Sequence, residues 1–460
     1  ETAWKSRPPG RGNLVLVDGH LVILIRSGEI VIAEATPEEY REVSRIQALE
    51  RGYFTRPSFA NGKVYVRNLV DIAAIGVTNA SLAGSTVAQP GAGRELRGDF
   101  GAFVERLETA ENKSEMIESF LAEHPALPIL EGNLVHFVYH GEVDDLAVSG
   151  NFIRDGSEHA MHRAEGTDFY FRSYELPEKA IFTYRFSVFD ESITDPANPR
   201  TTGAEDDQRS VLTTTGWQAP SHLREPEGER GRIETLSWKS EQLENARDVQ
   251  VYLPAGYDEG NRRYPLLVVN DGTEALSNGQ IDKSLDNLIG ETVAPVIVAF
   301  VPSAIWRELG GTMTAEYARA QAEELIPLLD NTFRTDARRE SRAVLGQAGA
   351  GFSALYAALH YPEVFSQAAA QSYEHGDLEE DLMTAASGDQ HDLELVLHWS
   401  SYDRLIPYWD FDARRDAQNV VAALENNGYS PTIIESNDGA GWGMWQGRMA
   451  EVLEALFPVE

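Results

Sequence analysis

The sequence predicts a multidomain chain: β-propeller-like hairpins first, an immunoglobulin-like β-sandwich in the middle, and a doubly wound, mostly parallel α/β sheet at the C-terminal end. Three observations predict it. From about residue 231 onward, short buried-type apolar strands alternate with helical spacing. Over residues 133–200 the apolar positions recur every second residue, as in strands with one buried face. Near the start, Asp18-Gly19 and Asn61-Gly62 mark two hairpin turns 43 positions apart, close to the repeat of propeller blades. The domain reading is blades over 1–80, a linker over 81–98, a helix plus sandwich over 99–210, and the α/β domain over 211–460.

The first region reads as strands over Asn13–Gly28, Glu29–Glu34, Pro57–Asn68 and Asp71–Ile75. Ala83–Gly93 has linker composition. Asp99 to His124 carries helical apolar spacing (Phe103, Leu107, Met116, Ile117, Phe120, Leu121) and stops before Pro125 and Pro128. Sandwich strands are expected at Leu134–His140, Asp145–Ser149, Phe169–Tyr174 and Ile181–Val188. In the last region, strands are expected at Val249–Leu253, Pro265–Val269, Val296–Val301, Arg342–Leu345, Ser366–Ala370, Leu393–His398 and Ser430–Glu435. The expected helices span 314–330, 351–360, 411–427 and 446–457.

Composition narrows the function. The chain has 460 residues, 39 Lys+Arg against 73 Asp+Glu, and a formal charge of −34. Such a surface repels nucleic acid and anionic membranes, so neither is an expected partner. It suits solubility first, and a high-salt setting or cation binding second. There are no cysteines, which removes disulfides and thiolate chemistry. No run approaches the length of a membrane span. The chain opens on Glu1 rather than Met and is read as processed or as part of something longer.

The strongest local signal is Arg342-Ala-Val-Leu-Gly-Gln-Ala-Gly-Ala-Gly351. It has the strand, tight turn and helix of a nucleophile elbow, in which a serine stands on a sharp turn among small residues. Here Ala348 occupies the central position and Ala350 replaces the second motif glycine. A methyl group cannot be deprotonated or carry an acyl group.

The blade phrase Pro57-Ser-Phe-Ala-Asn-Gly-Lys-Val-Tyr-Val-Arg67 resembles the quinoprotein-type propeller family over residues 1–78, although no residue there argues for a bound quinone. The 100–460 region resembles the enterochelin-esterase-like α/β-hydrolases. The resemblance rests on segments 137–142, 195–200, 251–257, 264–272, 307–309, 324–329, the elbow and 361–365, in that order. It implies an early-set sandwich before the catalytic domain and a Ser-His-Asp triad. On that pattern the serine falls on Ala348, the histidine on Ala440 within Asn437–Trp445, and the acid on Asp403, with Asp410 as alternative. No histidine follows His398, so no shift of alignment restores a base. Two losses in one triad read as natural decay rather than as a trapping mutation, because one deletion already forfeits most of the rate. Gly349 and Gly272 are the candidate oxyanion donors.

Other residues have plainer readings. Ser353 is expected to pack between helix and sheet. Ser372 and His375 could pair as a substitute nucleophile and base, though a self-satisfied polar loop is the simpler account. His136, His140, His159 and His162 suggest cross-strand or surface pairing before a metal site. Glu205–Asp207 and Asp377–Asp381 lack a calcium-loop pattern. Trp306, Trp399, Trp442 and Trp445 read first as core packing, with a retained aromatic cleft, Arg307 included, as the functional alternative. An open cleft beside Ala348, lined by Trp306, Trp442 and Asp403, is expected.

The sequence therefore points to an esterase-like protein without intact catalytic residues, cofactor or metal, and the family resemblance implies that it is exported (periplasmic, cell-surface or extracellular). Its expected partner is a protein, or a small molecule or glycan in the vestigial cleft, with homo-oligomerisation open. The alternatives are a serine esterase whose nucleophile and histidine are replaced in this chain, and a carbohydrate-binding protein acting through the sandwich.

Overall fold

The computed structural model describes residues 9, 12–25, 28–49, 56–67, 72–77, 97–143, 146–188, 191–203, 207–303, 305–406 and 411–459, with the side chain of Trp306 also outside the description. Residues 81–96 of the proposed linker, Asp410 and most of Glu205–Asp207 lie outside these residues. Two compact units are present. One comprises residues up to Lys179 with Thr183–Gly216; the other comprises Ala180–Phe182, Trp217–Leu405 and the chain from Phe411.

In the first unit, β1 (Gly12–Val17), β2 (His20–Ile25), β3 (Glu29–Glu34) and β4 (Glu42–Gln47) form an antiparallel meander. The first turn falls on Asp18-Gly19, both with positive φ, as a two-residue hairpin requires. Strands β5 (Ser58–Ala60), β6 (Lys63–Arg67) and β7 (Ile72–Gly76) make a second sheet. Val22, Leu24, Ile30 and Ile32 of the first share a core with Val64 and Val66 of the second.

The expected single helix over 99–124 is two helices, α1 (Gly98–Thr109) and α2 (Lys113–Glu123). The apolar period runs through both, but the chain turns extended at Ala110. The break folds both helices onto one aromatic cluster, where Phe103 and Phe120 stack with ring centroids 3.8 Å apart. Beneath them lies a sheet of β8 (Ile129–Glu131), β9 (Leu134–His140) and, beyond β10 (Leu146–Gly150) and β11 (His159–Ala160), β12 (His162–Arg163) and β13 (Phe169–Glu175). A facing sheet combines β10 and β11 with β14 (Ile181–Val188), β15 (Glu191–Ile193), β16 (Thr201–Thr202) and β17 (Arg209–Thr213). Aromatic contacts join the two sheets: Phe137 to Tyr184 at 4.8 Å and Tyr139 to Phe186 at 5.7 Å.

The second unit is built on eight strands in the order β18-β19-β21-β20-β22-β23-β24-β27. These are β18 (Arg232–Ser240), β19 (Asn245–Leu253), β20 (Leu266–Asn270), β21 (Ile297–Val301), β22 (Arg342–Gln347), β23 (Gln367–Gln371), β24 (Glu394–Tyr402) and, after the short pair β25 (Leu405–Ile406) and β26 (Phe411–Asp412), β27 (Thr432–Gly439). Strands β18 and β19 are antiparallel and the rest run parallel. Parallel strands are covered on both faces, which is why they read as unbroken apolar runs. One face packs on α5 (Thr314–Ala320), α6 (Ile326–Thr332), α7 (Gly349–His360), α8 (Glu379–Ala386) and α9 (Ala413–Asn426), the other on α3 (Gly272–Ser277), α4 (Ile281–Leu288), α10 (Trp442–Gly447) and α11 (Met449–Leu456). The expected helix over 314–330 contains one π-helical turn, Gln321–Leu325, between α5 and α6.

Candidate functional site

Parallel α/β sheets form their sites beyond the C-terminal ends of the strands. Here three neighbouring strands, β20, β22 and β23, are each followed at once by a non-glycine residue with positive φ: Asp271 at 54°, Ala348 at 52° and Ser372 at 51°. Such conformations cost on the order of 1 kcal/mol each and collect at ligand and catalytic sites. Sequence reasoning reached Ala348 through its motif but had no signal for strain at the other two.

Ala348 sits at φ 52° and ψ −125° between β22 and α7. Its amide donates to the Gln371 carbonyl at 2.8 Å, tying the elbow to β23. The glycines around it are sterically required. A Cβ on Gly346 would lie 2.0 Å from the Ala350 carbonyl oxygen, and one on Gly349 would lie 2.3 Å from that of Leu309. Gly349 and Gly272 occupy the first positions of α7 and α3, where amides have no intrahelical acceptor. Asp271, just before Gly272, is held above the usual carboxylate range by burial, with a partial offset from the Ser303 hydroxyl at 3.1 Å.

The acid corner is closed. Asp403 has 0% of its surface exposed. Its Oδ1 accepts from the Ser372 hydroxyl at 2.7 Å, and its Oδ2 accepts from the Ser400 amide at 3.0 Å. Trp445 Nε1 donates to Ser372 Oγ at 2.8 Å, so indole, hydroxyl and carboxylate form one relay. Asp403 therefore does not line an open cleft. Ala440 stands at the end of β27, followed by Gly441 with φ 124° and no heavy atom within 4 Å of its would-be Cβ.

Ser372 and His375 do not pair with each other. His375 Nδ1 meets Asp416 Oδ2 at 2.8 Å instead. The physical reason is that positive φ at Ser372 turns its side chain toward β24, while His375 lies further along the loop. Ser353 Oγ donates to the Glu308 carbonyl at 2.6 Å within the helix–sheet packing. The same Glu308 forms a buried bidentate pair with Arg247, at 2.9 and 3.0 Å, which fixes the 306–309 turn beside the elbow. Arg307 on that turn is exposed.

His398 is fully buried beneath the edge, linked to Ser436 Oγ at 3.2 Å and Gln371 Nε2 at 3.4 Å. Burial, with a smaller effect from Arg448, pushes its pKa down to about 3, so it stays neutral. Among the tryptophans, Trp442 and Trp445 meet edge to face at 5.1 Å on α10. Trp399 belongs to the core on the opposite face of the sheet, its indole bonded to Glu435, and is not a cleft residue. The sandwich histidines pair locally: His136 with Ser173 directly across the sheet at 2.7 Å, His140 with Asp168 at 3.1 Å, and His159 with the Tyr174 hydroxyl at 2.9 Å.

Comparison with known proteins finds similarity to esterases over this part of the chain. Residues 240–426 match the Esterase family, described as "Putative esterase". The iron(III) enterobactin esterase of Dickeya dadantii (strain 3937) is 28% identical over 202 residues, covering 40% of this chain and 44% of that protein. The corresponding esterase of Escherichia coli (strain K12) is 30% identical over 160 residues, 34% of this chain and 38% of its own length. The matched stretch thus spans less than half of either relative. In fold, the ferric enterobactin esterase of Salmonella typhimurium superposes with a TM-score of 0.61 at 19% identity, covering 74% of this chain and 98% of that one. An enterobactin esterase from Shigella flexneri gives 0.58 at 21% identity, with 70% and 92% covered. These similarities support an enterochelin-esterase-like hydrolase architecture.

Proposed function

We propose that this chain is a non-catalytic, esterase-like binding or structural protein, exported from the cell, whose hydrolase site has kept its backbone and lost its reacting groups. The observation that carries this reading is Ala348 on a turn of elbow geometry, with φ 52° and ψ −125° and with the close contacts that require glycine at 346 and 349. An acyl-transfer route needs a nucleophile and a base within hydrogen-bond reach. The nucleophile position offers a methyl group, and the base position is Ala440. Of the histidines that follow β23 or lie on β24, His398 is buried and neutral, and His375 pairs through Nδ1 with Asp416 and not with Ser372.

The retained amides of Gly349 and Gly272 support binding of a carbonyl or other acceptor group at the elbow. Trp442 and Trp445 supply aromatic surface close by. A small molecule, a glycan or a partner segment fits that description. The carbohydrate reading of the sandwich is less favoured, because Phe137, Tyr139, Tyr184 and Phe186 face one another between the sheets instead of forming an exposed stacking platform. Aryl-ester turnover tests the proposal: p-nitrophenyl acetate is expected to be cleaved at the background rate with no burst, and a stoichiometric burst would refute it.

A further inference from the structure

The first unit contains an ionisable pair, a buried His136 and a partly exposed Glu131, that the proposed site does not use. Helix α1 has no capping side chain of its own; Arg97 stands at its N-cap and makes no cap bond. The role is taken by Glu131 from β8, whose carboxylate accepts from the Phe100 amide at 2.7 Å and the Asp99 amide at 3.1 Å. Gly98 makes this approach possible, since at φ 70° a Cβ there would lie 1.8 Å from Glu131 Oε2. A carboxylate on the first amides of a helix is a favourable pairing with the helix dipole.

His136 of β9 lies under the same contact. It is fully buried, stacked on Phe100 of α1 with centroids 4.4 Å apart, and its Nδ1 is 2.7 Å from Ser173 Oγ. Its Nε2 has no hydrogen-bond partner and faces Glu131 Oε2 at 3.8 Å. Protonation would leave both ring nitrogens carrying a proton in this enclosed position, one facing the Ser173 hydroxyl and the other the carboxylate that holds α1. Other titratable or charged groups on the surrounding elements include Asp99, Glu105, Arg106 and Glu108 on α1, Arg172 and Tyr174 either side of Ser173 on β13, the exposed Arg97–Glu175 pair at 2.9 Å, His124 against Phe120 beside α2, and His162 beside Phe171 on β12.

We propose that His136 and Glu131 form a pH-sensitive latch that holds the α1–α2 hairpin on the sandwich while His136 is neutral and loosens it when His136 is protonated. What would be uncovered is the aromatic face built from Val138, Phe169 and Phe171. Burial lowers the pKa of His136, and the Glu131 charge opposes that shift without cancelling it. A histidine whose pKa is lower in the folded state binds protons more readily once released. The latch is therefore fully effective above the ordinary histidine value of 6.5 and weakens as pH falls below it.

Hydrogen exchange on the full chain at pH 7.5 and 5.5, corrected for the intrinsic pH dependence of exchange, tests this. Protection of residues 98–123 is expected to drop about tenfold at the lower pH, the effect of one proton-linked unit, while protection of β20 and β22 stays level. In His136→Gln and His136→Phe, neither of which titrates, the drop is expected to vanish; either variant that folds decides the matter. Unchanged protection in the natural chain, or a drop that persists in a folded variant, overturns the latch.

Discussion

The elbow at Ala348 and the acid corner at Asp403 lie on the same sheet edge, two strands apart, and have been left in opposite conditions. At the elbow the geometry is complete and the reacting group is missing. At the corner the reacting group is present and shut away, with one oxygen on Ser372 and the other on the Ser400 amide. On the proposed non-catalytic reading, the difference follows from what each feature costs to discard. A serine hydroxyl can become a methyl with little consequence for packing. A buried carboxylate must keep every donor it has, because an unsatisfied charge in the interior costs several kcal/mol.

This contrast gives a graded series of expectations for thermal unfolding. Gly346→Val should have the largest effect, destabilising by about 3 kcal/mol or preventing folding, because its side chain would meet the Ala350 carbonyl at 2.0 Å. Retention of native stability would show that the elbow is softer than its contacts imply. Asp403→Ala should follow, at about 2 kcal/mol, by stranding the Ser372 hydroxyl and the Ser400 amide. Loss of the relay should also change Trp445 emission, and an unchanged spectrum would contradict the relay. Ala348→Gly should act in the other direction and stabilise by roughly 1 kcal/mol, by relieving an alanine held at φ 52°.

The last expectation in the series concerns rate. Ala348→Ser restores the hydroxyl but no base, so its aryl-ester activity should stay within about tenfold of the parent chain. A large gain would identify another residue as base, with His375 the first to examine.

How far these features were legible in the sequence depended on whether the signal was local. The elbow was readable because small residues must surround a tight turn, and the parallel strands because burial on both faces leaves unbroken apolar runs. The short helices α3, α4 and α8 carried too few turns to show a period. Strand β18 escaped because, at the sheet edge, Arg232, Glu234 and Lys239 interrupt its pattern. The partners of Asp403 were invisible for a different reason: Ser372 lies 31 positions before Asp403, Trp445 lies 73 positions after Ser372, and only the fold brings the three together. Glu131 capping α1 from 32 positions downstream is the same kind of feature.

Covalent labelling reads most directly whether the sheet edge holds a nucleophile, which the proposed function says it does not. Intact-mass analysis after incubation with a fluorophosphonate probe is expected to return the unmodified mass for the natural chain. A single stoichiometric adduct mapping to the sheet edge, on Ser372 or any other residue there, would contradict the account.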